Sequence, residues 1–468
     1  MKWFRFYWLL LAFVSVARAD RVDDYVRAQM QQRHLPAVSV AIVRDGKVDK
    51  ARGYGVADLE HNVRATERTV YRLASVSKQF TATAIMLLVQ DGKLGLDDPI
   101  AKYLDGAPEA WSGVAVRDLL NHTAGVRTWD RVTDFTFRQN YTLAEFVQFF
   151  ARFPLDFAPR ERWSYSNTGY ALLGGIIEKV SGNSYADFLA ERIFKPSGMT
   201  ATSASPPDEL VTNRAEGYLW ADGRHRKAEP HRPAPTAPSG GVLSNVVDLA
   251  KWDLALHDMK FLPPAVLDQR WTPARLNNGG VTDYGFGWRV DDARGHRLLS
   301  HSGSTPGFST FFARYVEDRI TVIILTNLNN GGAPAMARTI AGLVDPALAP
   351  PDLMKPQPDH DPGMRDRLID ALNDLAAGKQ DSPRLTRGLG GTLNPRGDAA
   401  LATRLNAMKT LTFIARDDFP KPITVRGEPA VRVVHYKLAT EKETWFYSFH
   451  LTADGKVADL AGYAALSE

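Results

Sequence analysis

The order of predicted elements along the chain indicates an α+β fold, with one antiparallel sheet built from two distant parts of the chain. Two β-branched stretches flank the turn dipeptide Asp45-Gly46, which predicts a hairpin over 37–55. Strand-like segments return only much later, at 297–301, 308–316 and 320–327. Helical patterns fill the interval, so we expect an all-helical lobe inserted beside the sheet and a cleft between the two.

The helical patterns differ in how much of their surface is apolar. The pattern from Ser75 to about Gln90 is apolar nearly all round, which is typical of a helix buried in the core. Gly92 follows as a stop, and Asn245 is a ready N-cap for a later helix. The remaining predicted helices span 22–33, 116–121, 142–152, 168–181, 184–194, 246–257 and 333–344.

Length and composition predict more than one folded unit. The chain has 468 residues, of which 44% are hydrophobic and 24% charged, enough for a large core. A proline-rich segment, 346–363, predicts an extended linker between a main domain over 20–345 and a small α+β accessory domain over 364–468. The accessory domain contains no motif with a readable chemistry.

Charge and cysteine content exclude several classes of function. The net charge is +4, and Lys2, Arg5 and Arg18 account for most of it, so nucleic acid is not expected as a partner. The chain has no cysteine, which excludes disulfides, thiol catalysis and cysteine-zinc sites. No H-E-x-x-H motif or clustered ligand set occurs, so neither metal nor cofactor is expected.

The first nineteen residues have the pattern of a secretory signal peptide. A basic start with Lys2 and Arg5 precedes the apolar stretch 6–16, and Ala17 and Ala19 flank a cleavage point before Asp20. A retained membrane anchor is the alternative, but the stretch is short against the roughly 20 residues of a membrane span. We therefore expect a secreted or periplasmic protein.

Ser75 and Lys78 are one helical turn apart, so their side chains share a face. Serine becomes a good nucleophile only when a base takes its proton, and a lysine whose pKa is lowered by burial provides that base. The alternative is a helix start in which Ser75 is a cap and Lys78 extends to solvent. Two further elements favour chemistry: Tyr165-Ser166-Asn167 just before a helix, and His301-Ser302-Gly303 at the end of a strand.

The ordered set S-x-x-K, Y-x-N and basic-Ser-Gly resembles the serine β-lactamase and penicillin-binding protein superfamily. The flanking stretches "LASVSKQFTATAIMLLVQDGKLGLDDPI", "VRDLLNHTAGV", "GYALLGGIIEKVSG" and "YGFGW" are similar as well. The resemblance covers about 20–345 and is strongest to the class C β-lactamase, DD-peptidase and esterase branch. It implies the β-lactamase/transpeptidase-like fold.

The resemblance also implies roles for individual residues. Ser75 would be acylated, Lys78 and Tyr165 would share the general-base role, and Asn167 would orient Lys78 and the substrate amide. His301 stands in the place of the family's usual lysine. The backbone N–H groups of Ser75 and Ser304 would form the oxyanion hole. The expected substrate-binding residues are Ser302, Gly303 and Ser304, with Gly303 allowing close approach of a substrate backbone.

These roles predict a secreted serine hydrolase that acts on an amide or ester through an acyl-enzyme. The expected activity is D-Ala-D-Ala carboxypeptidase-like or β-lactamase-like. A histidine at 301 is only partly charged near neutral pH, which shifts the expectation from strong β-lactamase activity towards a peptidase or esterase. A carboxylesterase or D-aminopeptidase is one alternative, and a non-catalytic sensor of peptidoglycan or β-lactams is the other. The sequence leaves open the natural acyl donor, the deacylation step, the accessory domain's role and the oligomeric state.

Two further residue groups near the expected cleft have weaker signals. His122 is expected to be a structural loop histidine. The loop 127–142 is expected to line the mouth of the cleft with four aromatic residues, namely Trp129, Phe135, Phe137 and Tyr141.

Overall fold

A computed structural model describes residues 21–136, 141–204, 209–229, 236–258, 260–293, 295–349, 357–393, 397–441 and 443–464. The predicted signal peptide, Phe137 and residues 350–356 of the predicted linker lie outside these ranges. None of the helices in the described part is both long and apolar enough to cross a bilayer.

The strands within these ranges fall into an early group, a late group and a C-terminal group. They are β1 (Ala37–Arg44), β2 (Lys47–Asp58), β3 (Val63–Arg64), β4 (Tyr71–Arg72), β5 (Tyr218–Ala221), β6 (Arg224–Lys227), β7 (Leu243–Ser244), β8 (Arg289–Ala293), β9 (His296–Thr305), β10 (Phe308–Tyr315), β11 (Ile320–Thr326), β12 (Thr410–Val425), β13 (Glu428–Ala439), β14 (Thr444–Thr452) and β15 (Val457–Ala464).

Most of the helices lie between the early and late strands. They are α1 (Arg21–Gln32), α2 (Lys78–Gln90), α3 (Val116–Leu120), α4 (Leu143–Ala151), α5 (Asn167–Ser181), α6 (Tyr185–Leu189), α7 (Lys195–Ser197), α8 (Ala237–Gly240), α9 (Val246–His257), α10 (Pro264–Arg270), α11 (Ala333–Val344), α12 (Pro362–Ala376), α13 (Arg387–Gly390) and α14 (Ala399–Asn406).

The main sheet joins the early and late strands as predicted. Its order is β3-β2-β1-β11-β10-β9-β8, and every pair of neighbours is antiparallel. The junction lies between β1 and β11, where Ala41 pairs with Ile323. Strands more than 250 residues apart therefore meet in one sheet, and the α+β prediction is confirmed.

Both faces of the main sheet are covered, because β1, β10 and β11 are buried along almost their whole length. One face packs on α1 and α11 around Val40, Val322 and Ile340. The other face packs on a larger core that contains Phe80 of α2 and Trp252 of α9. The active-site elements come from this second side.

Helix α2 is buried on all sides, as its apolar sequence predicts, but its first turn is a 3₁₀ helix over Ala74–Ser77. The i and i+3 side chains of a 3₁₀ turn eclipse one another, which brings Ser75 over Lys78. The predicted end of α2 is confirmed, since Gly92 follows it with a φ of +68°. The Asn245 cap is also confirmed, because its Oδ1 accepts from Asp248 N–H at 2.8 Å.

The turn before α2 is held by strands from distant parts of the chain. Leu73 N–H donates to the Val242 carbonyl at 2.9 Å, and the Leu73 carbonyl accepts from the Thr310 hydroxyl at 2.8 Å. On the next turn, Val242 N–H donates to Ser77 Oγ at 3.0 Å. Ala74 has a φ of +49°, a conformation that costs an L-residue roughly 1–2 kcal/mol. The surrounding bonds hold this strained residue directly before Ser75.

The C-terminal unit is a four-stranded antiparallel meander, β12-β13-β14-β15, with α12 and α14 on one face. It contacts the main domain through the tip of the β12–β13 hairpin. There Arg426 donates to Asp283 at 3.2 Å and to Asp459 at 2.8 Å. The guanidinium and both carboxylates are largely buried. The unit is thus attached to the segment that leads into β8.

The close approach of β9 to the nucleophile turn predicts that Gly303→Ala destabilises the fold. A Cβ at this position would lie 2.1 Å from the Leu73 carbonyl oxygen and 2.2 Å from Thr310 Oγ1. We expect a loss of about 1–3 kcal/mol in the free energy of unfolding, measured by denaturant titration. The matched control is Gly113→Ala, whose Cβ meets nothing within 4 Å. Equal stability of the Gly303→Ala variant and the wild type would contradict this packing.

Candidate active site

Ser75 and Lys78 meet at the start of the buried helix α2. Lys78 Nζ lies 3.2 Å from Ser75 Oγ. The Lys78 side chain is fully buried, whereas Ser75 is partly exposed. The nucleophile predicted from the sequence therefore faces an opening, and the predicted base lies behind it.

Two further oxygen atoms hold the Lys78 amine in place by accepting hydrogen bonds from it. Nζ donates to Asn167 Oδ1 at 2.8 Å and to the Ser239 carbonyl at 2.7 Å. Burial lowers the pKa of Lys78 well below its usual value, and the Asp130 carboxylate opposes this shift. Asn167 Oδ1 and the Ser239 carbonyl can only accept hydrogen bonds, so a neutral amine donates its two N–H groups to them. Its lone pair then points at Ser75.

Asn167 begins helix α5, and Asp130 determines which way its amide faces. Asn167 Nδ2 donates to Asp130 Oδ2 at 2.9 Å, which leaves Oδ1 directed at Lys78. Asp130 in turn accepts from the Thr128 hydroxyl at 2.9 Å. The start of α5 is capped by Ser166, whose Oγ accepts from Gly169 N–H at 3.1 Å. Asp130 is a positioning residue that the sequence reading missed.

Tyr165 lies against the amine and the nucleophile. Lys78 Nζ is 4.8 Å from the centre of its ring. Burial raises the pKa of Tyr165, and hydrogen bonding to Ser75 opposes the shift, so the phenol is protonated at neutral pH. The His122 ring packs on Tyr165 with 4.3 Å between centroids, and His122 Nδ1 accepts from Ser166 N–H at 3.1 Å. His122 therefore has the structural role expected of it.

His301 is buried, and both of its ring nitrogens have partners within the protein. Nδ1 donates to the Ser302 carbonyl at 2.7 Å, so Nε2 accepts from the Tyr284 hydroxyl at 2.7 Å. Burial lowers the pKa of His301 to about 3. The imidazole is neutral at physiological pH and supplies no cation. Tyr284, which fixes this tautomer, belongs to the "YGFGW" stretch, but its role was not predicted.

A cavity of about 180 Å³ lies in front of Ser75. Asn167 and Ser304 line it, together with residues from the 127–142 loop and the α8 turn. Ser304 and Ser75 line the same cavity. Gly303 is not among the lining residues and approaches the Leu73 carbonyl closely. The expected roles of Ser304 in the oxyanion hole and of Gly303 beside a substrate stay predictions.

The structure brings together residues predicted from three distant motifs. Ser75, Lys78 and Asn167 are joined by hydrogen bonds, while Tyr165 contacts Lys78 and lies with its ring 6.3 Å from that of His301. Ser302 is exposed beside His301. Trp129 lines the cavity as expected of the mouth loop, whereas Phe135 and Tyr141 stack on one another beside it.

Among the described residues, one group of side chains has the spacing to hold a metal ion. Its ligand atoms, from Asp58, Glu60 and His61, lie close enough together for a cation. It is largely exposed, its His61 and Asp58 form an ion pair at 2.7 Å, and it does not line the cavity.

Comparison with known sequences gives the family. A family model described as "Beta-lactamase" matches residues 22–345. Penicillin-binding protein 4* of Bacillus subtilis is 35% identical over 324 residues, which are 63% of this chain and 69% of that protein. Protein flp of Staphylococcus aureus is 27% identical over 324 residues, which are 68% of this chain and 64% of that protein.

Solved structures agree with this assignment. An octameric penicillin-binding protein homologue from Pyrococcus abyssi has a TM-score of 0.62 at 24% identity and covers 95% of both chains, including the C-terminal unit. At that identity it shows the fold alone. D-amino acid amidase from Ochrobactrum anthropi has a TM-score of 0.59 at 26% identity and covers 70% of this chain and 98% of its own.

The matched region contains the main sheet, the helical lobe and all of the residues around Ser75. The alternative of a capping serine and a solvated lysine is wrong, because Lys78 is buried and bonded within the site. The chain belongs to the beta-lactamase family of acyl-serine hydrolases.

Proposed function

We propose that this protein hydrolyses an amide or ester bond next to a D-amino acid, in the manner of a D-Ala-D-Ala carboxypeptidase or a D-amino acid amidase. The observation on which this rests is the 3.2 Å contact between Lys78 Nζ and Ser75 Oγ at the base of an open cavity. The similarity to D-amino acid amidase supports a D-amino acid as part of the substrate, and the similarity to penicillin-binding protein 4* supports the acyl-serine mechanism. Support for action outside the cytoplasm comes from the N-terminal signal pattern.

The contacts define a proton path for acylation. Lys78 takes the Ser75 hydroxyl proton as Oγ attacks the substrate carbonyl, and the developing oxyanion meets the backbone N–H groups of Ser75 and Ser304. When the bond breaks, the proton passes to the leaving amine or alcohol through Lys78 or the protonated Tyr165 phenol. Water then attacks the acyl-serine and releases the acid.

The neutral His301 separates this proposal from strong β-lactamase activity. A β-lactam presents a carboxylate, and at position 301 that carboxylate would meet a neutral imidazole, whose two nitrogens are engaged by Tyr284 and Ser302, in place of the family's lysine. A neutral D-amino acid amide or ester needs no cation at that point. The other alternative, a non-catalytic sensor, does not explain why a buried amine is directed at a partly exposed serine.

The first prediction concerns covalent labelling. A fluorophosphonate is expected to add to Ser75, seen as a mass increment on the peptide that contains it, because a neutral Lys78 activates the hydroxyl. Ser75→Ala and Lys78→Met should abolish the label, and Ser112→Ala, at an exposed site, should keep it. Labelling of the Ser75→Ala variant at wild-type extent would place the nucleophile elsewhere.

The second prediction concerns substrate choice. At equal concentration, a D-alanine p-nitroanilide and an acyl-D-Ala-D-Ala peptide should be turned over faster than nitrocefin, measured as kcat/KM. The L-alanine p-nitroanilide is the matched control, and we expect it to be at least about tenfold slower, which corresponds to about 1.4 kcal/mol. Preference for nitrocefin over all amides would overturn the proposed substrate class.

The third prediction uses the stability cost of burying Lys78. The pKa of Lys78 is lowered in the folded state, whereas in the unfolded chain it is near 10.5. Between these two pKa values the unfolded chain binds more protons than the folded protein. The free energy of unfolding therefore rises as the pH increases towards 10.5. Lys78→Met should therefore be more stable than the wild type at pH 7, with a gap that narrows towards pH 10. Each unit of pKa shift is worth about 1.4 kcal/mol.

The control for this experiment is Lys93→Met, at an exposed lysine, which should show no such gap. Free energies of unfolding from urea titrations at pH 7 and pH 10 give the comparison. A Lys78→Met variant less stable than the wild type at pH 7 would show that the amine is charged and paired in the folded state.

A further inference from the structure

The cavity in front of Ser75 contains a cation that acylation does not use. Arg72 lies in β4, three residues before Ser75, and lines the same cavity. It is only 9% exposed. Within the described ranges its guanidinium makes no hydrogen bond and no ion pair within 4.0 Å. An arginine buried to this extent, whose donors have no acceptor in the described chain, depends on what enters the cavity for its hydrogen bonds.

The surroundings of Arg72 leave it charged. Burial, and to a smaller extent Arg214, lowers its pKa to about 10, and Glu216 opposes the shift. The Glu216 carboxylate is directed elsewhere, 4.0 Å from Lys227, and its side chain is about half exposed. Arg72 is therefore protonated at neutral pH, and no carboxylate of the described chain neutralises it at contact distance.

The position of Arg72 separates it from the other charged group of the cavity. Its strand pairs with β7, where Arg72 is opposite Leu243, and the neighbouring 214–217 segment packs on Gly307 next to the end of β9. Asp130 lines the cavity beside Asn167 at the start of α5. The cation therefore lies on a different element from Asp130, near the end of β9, whose Ser304 and Thr305 also line the cavity.

We propose that Arg72 is a specificity-determining residue that binds a carboxylate of the substrate. A carboxylate is the planar ligand that matches the guanidinium fork, and it would satisfy donors that the protein leaves unpaired. The neutral His301, in the place of the family's lysine, makes Arg72 the cation available for this purpose. This deepens the proposed function and rests on it, since it favours a peptide with a free carboxyl group over an amide without one.

The test compares two probes that differ only in charge. N-acetyl-D-alanine and N-acetyl-D-alaninamide are used as competitive inhibitors of p-nitrophenyl acetate turnover, and the ratio of their inhibition constants is measured. In the wild type we expect the acid to bind about ten- to a hundredfold more tightly than the amide. In Arg72→Gln the ratio should fall to about one, whatever that variant does to turnover, and Arg72→Lys should give an intermediate ratio.

Arg214→Gln is the matched control, since it removes a nearby arginine that does not line the cavity and should preserve the ratio. A ratio near one in the wild type, an unchanged ratio in Arg72→Gln, or an equal fall in Arg214→Gln would each overturn the carboxylate site. If Arg72→Gln fails to fold, Arg72→Lys provides the comparison, and an unchanged ratio there overturns the proposal.

The failure of the proposed function is distinguishable from the failure of this site. Calorimetric titration of Ser75→Ala with the same two probes measures the carboxylate preference without turnover. Binding of the acid without any labelling of Ser75 in the wild type would retain the carboxylate site and reject the hydrolase. Labelling of Ser75 with equal affinity for both probes would retain the hydrolase and reject Arg72.

Discussion

The burial of one primary amine is the constraint on which the active site depends. Lys78 is fully enclosed, and its two best hydrogen bonds go to groups that only accept, Asn167 Oδ1 and the Ser239 carbonyl. A charged amine in that position would lose most of its hydration, which is why burial favours the neutral form. The neutral form has one lone pair left, and Ser75 is the group that it meets. The reactivity of the serine therefore follows from where the helix puts the lysine.

The rest of the fold holds this pair in place. The 3₁₀ turn that bears Ser75 is fixed on one side by Thr310 of β10 and on the other by Val242 beside β7, which approach from opposite ends of the domain. These contacts also hold Ala74 in a left-handed conformation that an alanine does not favour. Asp130 likewise positions Asn167, since it accepts from Asn167 Nδ2 and so fixes the orientation of the amide that faces Lys78. The site is thus preorganised by strands and loops whose own side chains take no part in bond breaking.

The sequence was sufficient for the fold class and for the central residues, because both depend on local pattern and order. The hairpin at Asp45-Gly46, the buried helix after Ser75 and the cap at Asn245 are all local signals, and the structure contains each of them. Ser75, Lys78 and Asn167 were found because their motifs have fixed spacing.

Residues whose roles arise only from tertiary contact were missed. Nothing local marks Asp130 as a partner of Asn167, Tyr284 as the donor to His301, or Arg72 as an unpaired cation beside the nucleophile. The packing of Gly303 on Leu73 was missed for the same reason, since only the folded chain brings the two together. The most direct test of the account is an NMR titration of Lys78, with ¹³C-labelled lysine and Lys78→Met to assign its signal. The account predicts a midpoint well below 10.5, and a Lys78 that stays protonated up to about pH 10 would contradict it.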